Sequence, residues 1–230
     1  MHTSTRATRT RRHVVIAATT LALAAAAAAA LRPAPLVARS PDAPAGHPTA
    51  SPPDWLAGIT AEHRQLFDMT APNDGIPLIH ILNYYDTYNR AYGEQDVEVD
   101  AVGTLYGGIT LYGVNDAMWE KYGIGELLKV NDPATGKPAV TNPWRANPVV
   151  LGMSMPQASV ESLQRRGATF ILCDNALGFF SGVIARARGL DADSVHADLK
   201  ANALPGVILV PGMVVAIEQA HDAGLSYMRQ

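Results

Sequence analysis

From about residue 63 onward, apolar residues follow a strand-like period and a helix-like period in turn, which predicts strands separated by helices. Arg64–Met69 is a short strand candidate, and the turn residues of Ala71–Gly75 end it. From Pro77 to Tyr92 the apolar residues recur at helical spacing. A strand at 76–82 is the competing interpretation, but the helical period runs through it unbroken, so we predict a helix.

The middle of the chain predicts one more strand and helix and then an irregular insertion. Val97–Leu105 alternates and then turns fully apolar, which is typical of a strand that ends at Tyr106-Gly107-Gly108. A helix is predicted from about Leu111 to Tyr122. Lys129–Asn147 is polar and rich in Pro and Asn, with a turn at Asn131–Gly136. Such an insertion is often a lid or an interface element.

The last third of the chain alternates regularly. Ser154-Met155-Pro156-Gln157 has the form of a capping box and predicts a helix to about Arg166. The apolar run Thr169–Cys173 predicts a strand, and Asp174 is the predicted N-cap of a helix to about Arg188. The remaining predicted elements are a helix from Asp191 or Asp193 to Ala201, a strand at Val207–Val210, a helix at Met213–Ala223 and a strand at Leu225–Met228.

Strands separated by helices indicate an α/β fold, with a mostly parallel sheet that helices cover on both faces. Ligands of such sheets bind at the carboxyl ends of the strands. Three segments occupy that position: Thr70–Asn73, Tyr106–Gly108 and Cys173–Asn175. If they are neighbours, they form a rim with one thiol and several polar donors. The candidate binding residues are Asn73, Gly107, Gly108, Asp174 and Asn175.

The first 31 residues are typical of an export signal. Four arginines precede the uncharged, alanine-rich run Val14–Leu31, and the segment has no acidic residue. Thr10–His13 matches part of a twin-arginine signal. A membrane anchor is the alternative, but 18 residues are close to the spanning minimum of about 17. We therefore predict cleavage, no stable membrane insertion afterwards, and a periplasmic or secreted protein.

Residues 32–60 are rich in Pro, Ala and Ser and predict a flexible linker, which leaves 61–230 as one domain with an insertion at about 127–148. Four of the 18 basic residues lie in the signal, so 14 remain against 21 acidic residues, a net charge of about −7. This charge argues against nucleic acid as a partner.

Several kinds of chemistry lack their motifs. The chain has no G-x-G-x-x-G, no Walker A lysine motif and no G-x-S-x-G elbow, which argues against dinucleotide enzymes, nucleotide hydrolases and serine hydrolases. Gly107-Gly108 alone is typical of a tight turn after a strand. The histidines after the signal have no metal-ligand spacing, so we predict neither a metal site nor a cofactor.

Cys173 is the one cysteine of the chain, so no disulfide can form within it. Its position between a strand and a helix N-terminus favours a thiolate, because the helix dipole stabilises negative charge there. No basic residue adjoins it in sequence, and Asp174 works against ionisation. The alternative is a structural cysteine that fills a core. If Cys173 is reactive, we predict that it exchanges sulfane sulfur, because this reaction needs no general acid, whereas a cysteine hydrolase does.

A family resemblance rests on three stretches of the sequence. They are Arg165-Arg166-Gly167-Ala168-Thr169-Phe170-Ile171-Leu172-Cys173-Asp174-Asn175-Ala176-Leu177, Leu204-Pro205-Gly206-Val207-Ile208-Leu209-Val210-Pro211-Gly212 through Ala216, and Gly224-Leu225-Ser226-Tyr227. These stretches resemble the DsrE/DsrF-like sulfur-relay family, and the similarity covers about residues 63–228. The resemblance implies a three-layer αβα fold with about five strands, homotrimers or hexamers, and a cysteine at position 173 that carries a persulfide in some members. The relay members are cytoplasmic and lack the Lys129–Asn147 insertion.

Two functions follow as expectations. The first is an exported persulfide carrier or sulfurtransferase with Cys173 as its nucleophile, which exchanges sulfane sulfur with a donor or acceptor protein. The second is a non-catalytic, oligomeric binding protein of the cell envelope in which Cys173 is structural.

Overall fold

Five strands form one parallel sheet at the centre of the fold. The computed structural model describes residues 54–230, so the predicted export signal and most of the predicted linker lie outside the described residues. The sheet order is β6-β5-β2-β1-β7, and β3 pairs with β4 in a separate antiparallel hairpin. In chain order the strands are β1 (His63–Asp68), β2 (Val99–Leu105), β3 (Val149–Val150), β4 (Met153–Ser154), β5 (Thr169–Cys173), β6 (Val207–Val210) and β7 (Ser226–Arg229).

Helices connect the strands and cover both faces of the sheet. A π-helical turn, Tyr88–Tyr92, continues the first of them. Short 3₁₀ turns occupy Asp54–Leu56, Asn73–Gly75, Asp96–Glu98, Gly107–Gly113 and Pro156–Ala158. The helices are α1 (Ile76–Thr87), α2 (Asp116–Tyr122), α3 (Ile124–Leu128), α4 (Val160–Arg165), α5 (Asp174–Arg188), α6 (Ala192–Ala201) and α7 (Met213–Asp222).

The two faces of the sheet carry hydrophobic cores of different size. Because successive side chains of a strand point to opposite faces, Phe67 and Phe170 pack in a large core with α1, α4, α5 and α6. Leu66, Ile171 and Cys173 pack on the other side, under α7 and residues 54–59. We call these the α1 face and the α7 face. The three-layer αβα fold predicted from the sequence is thereby confirmed.

Two predicted helix starts lie five residues from the observed ones. Ser154 lies in β4, and the cap of α4 is Ser159, whose hydroxyl accepts the Ser162 main-chain N–H at 3.1 Å. The residues from Ser154 match a capping box but do not form one, because a 3₁₀ turn at Pro156–Ala158 separates Ser154 from the start of α4. The helix predicted from Leu111 begins at Asp116, because Asn115 caps it by accepting the Met118 N–H at 3.2 Å.

The predicted insertion is irregular in the structure and is held down by Asn142. The buried Asn142 amide donates to the Tyr112 and Val114 carbonyls at 2.7 and 2.8 Å. Trp144 packs against Tyr112 with ring centroids 4.7 Å apart. The turn predicted at Asn131–Gly136 is present, with the Asp132 carboxylate accepting the Ala134 N–H. The two Asn142 hydrogen bonds and the Trp144–Tyr112 contact fix the insertion to the segment that follows β2.

The folded part begins before the predicted boundary at residue 61. Trp55, Leu56 and Ile59 are buried on the α7 face, although the sequence placed them in the linker. Three apolar residues among prolines and glycines form too short a pattern to show a period. In the part of the chain that the structure describes, no helix is long and apolar enough to cross a membrane.

Candidate functional site

Cys173 ends β5 and is itself the N-cap of α5. Its backbone is extended, and its Sγ accepts the Ala176 main-chain N–H at 3.4 Å. The prediction that Asp174 caps this helix is therefore wrong by one residue. An N-cap residue needs an extended backbone conformation. Because β5 leads into α5 without a connecting loop, the last residue of the strand, Cys173, has that conformation and caps the helix.

A second helix also donates to the same sulfur. The main-chain N–H of Met213, the first residue of α7, lies 3.3 Å from Cys173 Sγ. Cys173 Sγ thus accepts the N–H groups of Ala176 and Met213, which we call the amide pair. Both belong to first helical turns, where N–H groups lack intrahelical partners and carry the positive end of the helix dipole. The arrangement stabilises negative charge on the sulfur.

The thiol is buried. Only 5% of Cys173 is exposed, and it is a free cysteine. Its neighbours in the apolar cluster of the α7 face include Trp55, Met213 and the partly buried Tyr106. A reagent therefore reaches Cys173 only when part of this cover moves.

Basic groups do lie close to the Cys173 segment, which the sequence did not reveal. Asp174 accepts from or shares a proton with His196 Nε2 at 2.9 Å, and it accepts from Lys200 Nζ at 3.1 Å. Both residues are on α6, at least 22 positions along the chain from Asp174. The Asp174 carboxylate is therefore paired with basic side chains of α6.

The structure brings the other predicted site residues together only in part. Gly107 and Gly108 pack against the main chain of Thr70, so two of the three predicted rim segments meet there. The Gly108 N–H donates to the Thr70 carbonyl at 2.9 Å, so that donor is occupied by the protein itself. Asn73 lines a cavity of about 900 Å³ formed with the insertion, whereas Asn175 lines a cleft of about 520 Å³ along β6 and α7. The two carboxamides therefore do not line one cavity.

A buried carboxylate on the same face was missed. Asp68, at the end of β1, is 5% exposed and accepts the hydroxyls of Tyr106 at 2.8 Å and Tyr227 at 2.5 Å. Burial, followed by the bond to Asp68, raises the pKa of Tyr106. The bond to Asp68, followed by burial, raises the pKa of Tyr227. The three residues are spread over 159 positions, so no local motif marks them.

Tyr106 links this carboxylate to the cysteine. Leu105 pairs with Leu172, and Tyr106 continues the strand in extended conformation, so it lies level with Cys173 on the neighbouring strand. Both side chains pack in the apolar cluster of the α7 face. Adjacent strands are about 4.8 Å apart. Tyr106 is therefore a neighbour of the thiol, and its hydroxyl is tied to Asp68.

Among residues 54–230 no group of three or more His, Cys, Asp or Glu side chains is placed to hold a metal ion. The polar groups around Cys173 are main-chain amides and the ion pairs of Asp174. These groups suit an anionic sulfur, because amide donors bind negative charge.

The comparisons with known proteins show a distant structural likeness. No protein-family model matches the chain, and no curated protein matches it. Among solved structures, the chain is similar to the protein of unknown function MTH1491 from Methanobacterium thermoautotrophicum. The identity is 19% and the TM-score is 0.36, over 74% of this chain and 100% of that chain. Membership of the DsrE/DsrF-like family stays a prediction from the sequence.

Proposed function

We propose that this protein is an exported, DsrE-like persulfide carrier or sulfurtransferase in which Cys173 accepts sulfane sulfur. The observation that carries the proposal is the amide pair, since both N–H groups point at one sulfur atom from two different helices. A core-filling cysteine needs no such donors. A thiolate or persulfide needs them, because negative charge in a buried setting is costly without hydrogen bonds.

The chemistry requires only the exchange of sulfur. The Cys173 thiolate attacks a terminal sulfur of a trisulfide dianion, forms one S–S bond and expels a disulfide dianion as one S–S bond breaks. The total charge is −3 on both sides of the reaction, and no external oxidant or reductant takes part. An acceptor thiolate then attacks the outer sulfur of the persulfide and releases the Cys173 thiolate.

The cleft along β6 and α7 supports a route for the donor. Gly212, which precedes the amide donor Met213, lines it, and so does Asn175, which lies two residues after the thiol. The Asn175 carboxamide is exposed and lies close to Gly212, where an added Cβ would be 3.3 Å from Asn175 Nδ2. In the proposal Asn175 donates a hydrogen bond to the arriving sulfur anion.

The burial of Cys173 favours a second function. A thiol that is 5% exposed and surrounded by apolar side chains is typical of a structural cysteine. On this alternative the chain is a non-catalytic, oligomeric binding protein of the cell envelope, and the amide pair serves only to cap α5 and α7.

Mass spectrometry separates the two functions. The folded protein without its signal is incubated with inorganic polysulfide or thiosulfate, and its intact mass is measured. The carrier predicts a one-sulfur adduct that is absent in Cys173→Ser and is removed by an added thiol. A thiol that takes up no sulfur, and that reacts with iodoacetamide only after unfolding, would establish the structural cysteine instead.

Export and assembly complete the proposal and have their own tests. Cell fractionation of the full chain is expected to find it outside the cytoplasm, and Arg11→Lys with Arg12→Lys is expected to retain it inside if the twin-arginine route is used. Light scattering is expected to give the mass of a trimer or hexamer. A cytoplasmic location or a monomer would remove that part of the proposal and leave the sulfur chemistry to be judged by mass.

A further inference from the structure

A second site lies on the α1 face, away from Cys173. A cleft of about 630 Å³ opens there, lined by residues of β1, of α1 and the π-helical turn after it, and by Met228 of β7. The size falls within the usual range for small-molecule sites, about 300–1,000 Å³. We call it the tyrosine cleft. Its ring-bearing lining residues are His63, Phe67, His80, Tyr84, Tyr88 and Tyr92.

The rings form a continuous aromatic wall. His63 stacks on Tyr88 with centroids 4.1 Å apart, and the Tyr84 ring meets Tyr88 edge-on at 5.1 Å. Tyr92 continues the row at 5.6 Å from Tyr88 and is 70% exposed. An aromatic ring that exposed has a free π face, which carries the negative end of the ring quadrupole.

A carboxylate lines the cleft beside the aromatic wall, with Glu94 Oε1 3.8 Å from His63 Nε2. Glu94 lines the cleft, and the π-helical turn sets its position, because the Glu94 N–H donates to the Tyr88 carbonyl at 3.1 Å. The Asn89 amide donates to the Glu94 carbonyl at 2.8 Å. Glu94 is the one carboxylate that lines the cleft, and no lysine or arginine of the described residues lines it. Turns of π-helix are frequent at functional sites.

The charge around Glu94 is out of balance. A hydrogen bond to Glu98, followed by desolvation and by the negative charge of the Glu98 carboxylate, raises the pKa of Glu94. The nearest cationic candidate is His63, whose Nε2 is 3.8 Å from Glu94 Oε1. A positively charged ligand beside Glu94 relieves the repulsion between the two carboxylates.

We propose that the tyrosine cleft binds a small organic cation with alkyl groups on its nitrogen, such as a quaternary ammonium ion. The alkyl groups contact the Tyr88 and Tyr92 rings, and the charge is stabilised by these π faces and by the Glu94 carboxylate. A cation held over an aromatic ring gains about 0.5–1 kcal/mol at exposed sites and about 2 when desolvated. This site is independent of the sulfur chemistry proposed for Cys173.

Calorimetric titration with choline tests the proposal on the folded protein at about pH 8, where histidines carry little charge. The matched ligand is 3,3-dimethylbutan-1-ol, which has the shape of choline without its charge. We expect a choline Kd of roughly 1–10 mM and binding of the neutral ligand at least about tenfold weaker. Amide shifts in NMR spectra should centre on residues 88–94.

Variants locate the site and distinguish it from unspecific binding. Glu94→Gln and Tyr92→Leu are each expected to weaken choline binding about fivefold, whereas Glu120→Gln, which removes an exposed carboxylate on α2, leaves it unchanged. Equal affinities for choline and its neutral isostere would overturn the cation site and leave an apolar groove. The absence of heat up to about 100 mM choline, or equal effects of the two glutamate variants, would overturn it as well.

Discussion

The polar groups of the α7 face are buried and bonded to one another, whereas those of the tyrosine cleft on the α1 face lie at the surface. On the α7 face, Asp68 holds two tyrosine hydroxyls and Cys173 receives the amide pair. In the cleft, the Tyr92 ring is exposed and the Glu94 side chain is partly exposed. Buried, bonded groups are pre-organised for one arrangement of charge, and groups at the surface are accessible to a ligand. The comparison thus separates a site for chemistry from a site for binding.

The largest expected effect is the removal of the buried carboxylate. Asp68→Ala leaves the hydroxyls of Tyr106 and Tyr227 without their acceptor, so we expect the free energy of unfolding to fall by about 1–3 kcal/mol. Urea unfolding followed by circular dichroism measures it. A change below about 0.5 kcal/mol would mean that both hydroxyls find water instead, and that Asp68 does not organise the α7 face.

Proline at position 213 tests the amide pair. Met213→Pro removes one N–H donor from Cys173, and the helix tolerates it because position 213 is the first residue of α7 and Gly212 is extended. Met213→Ala loses the same side chain but keeps the amide, so it is the matched control. We expect persulfide formation to be about tenfold weaker in the proline variant than in the alanine variant.

Persulfide yield after incubation with polysulfide, quantified by intact mass, gives the comparison. Equal yields in the two Met213 variants would show that the amide stabilises no charge on the sulfur. The capping role of Cys173 would then remain as its function in the fold.

Alkaline pH is expected to act on the tyrosines of both faces. Burial raises the pKa of Tyr84, and burial with the Asp68 bond raises the pKa of Tyr106, each above the ordinary value of 10.0. The folded state therefore keeps protons that the unfolded state releases. The stabilisation that these protons provide is fully present below about pH 10 and is lost as the pH rises above that value. Melting temperatures between about pH 8 and 11 measure the decline.

Tyr106→Phe provides the control, because it removes one of the protons held by the folded state. Its melting temperature should fall less steeply above about pH 10 than that of the wild type. Parallel curves for the two proteins would contradict the raised pKa of Tyr106.

The smallest expected effect lies in the cleft. Glu94→Gln and Tyr92→Leu change a partly exposed and an exposed side chain, so we expect each to alter the free energy of unfolding by less than about 0.5 kcal/mol. Urea unfolding under the conditions used for Asp68→Ala checks this. A loss above about 1 kcal/mol would show that the aromatic wall stabilises the fold rather than serving a ligand.

Most of the fold was predictable because it follows local patterns. The strand Thr169–Cys173 is an uninterrupted apolar run with a helical period after it, and both elements are present. The helix predicted from Pro77 is present too, with a π-helical last turn. The starts of helices were less predictable. Ser154 and Ser159 are both residue types that suit an N-cap, and only the pairing of Ser154 in the hairpin at 149–154 shows that Ser159 is the cap.

The site was predictable in its location and not in its contacts. The first amide donor to Cys173 was predictable, because Ala176 is only three residues further along and lies in the first turn of the helix that the sequence predicts there. The second donor, Met213, is 40 residues away, and the sheet order brings it there. The same holds for His196 beside Asp174 and for the tyrosines on Asp68. Contacts of this kind depend on which strands are neighbours, and no local sequence signal contains that information.

The thin layer over the α7 face has a kinetic consequence for Cys173. Residues 54–59 and one helix make up the described cover, and Trp55 shares the apolar cluster of the thiol. Such a small unit can detach without global unfolding. Above a certain reagent concentration, modification of Cys173 should therefore reach a constant rate, set by the opening of this cover. Removal of the residues up to and including Ile59 should turn a gated thiol into one that reacts in proportion to the reagent concentration.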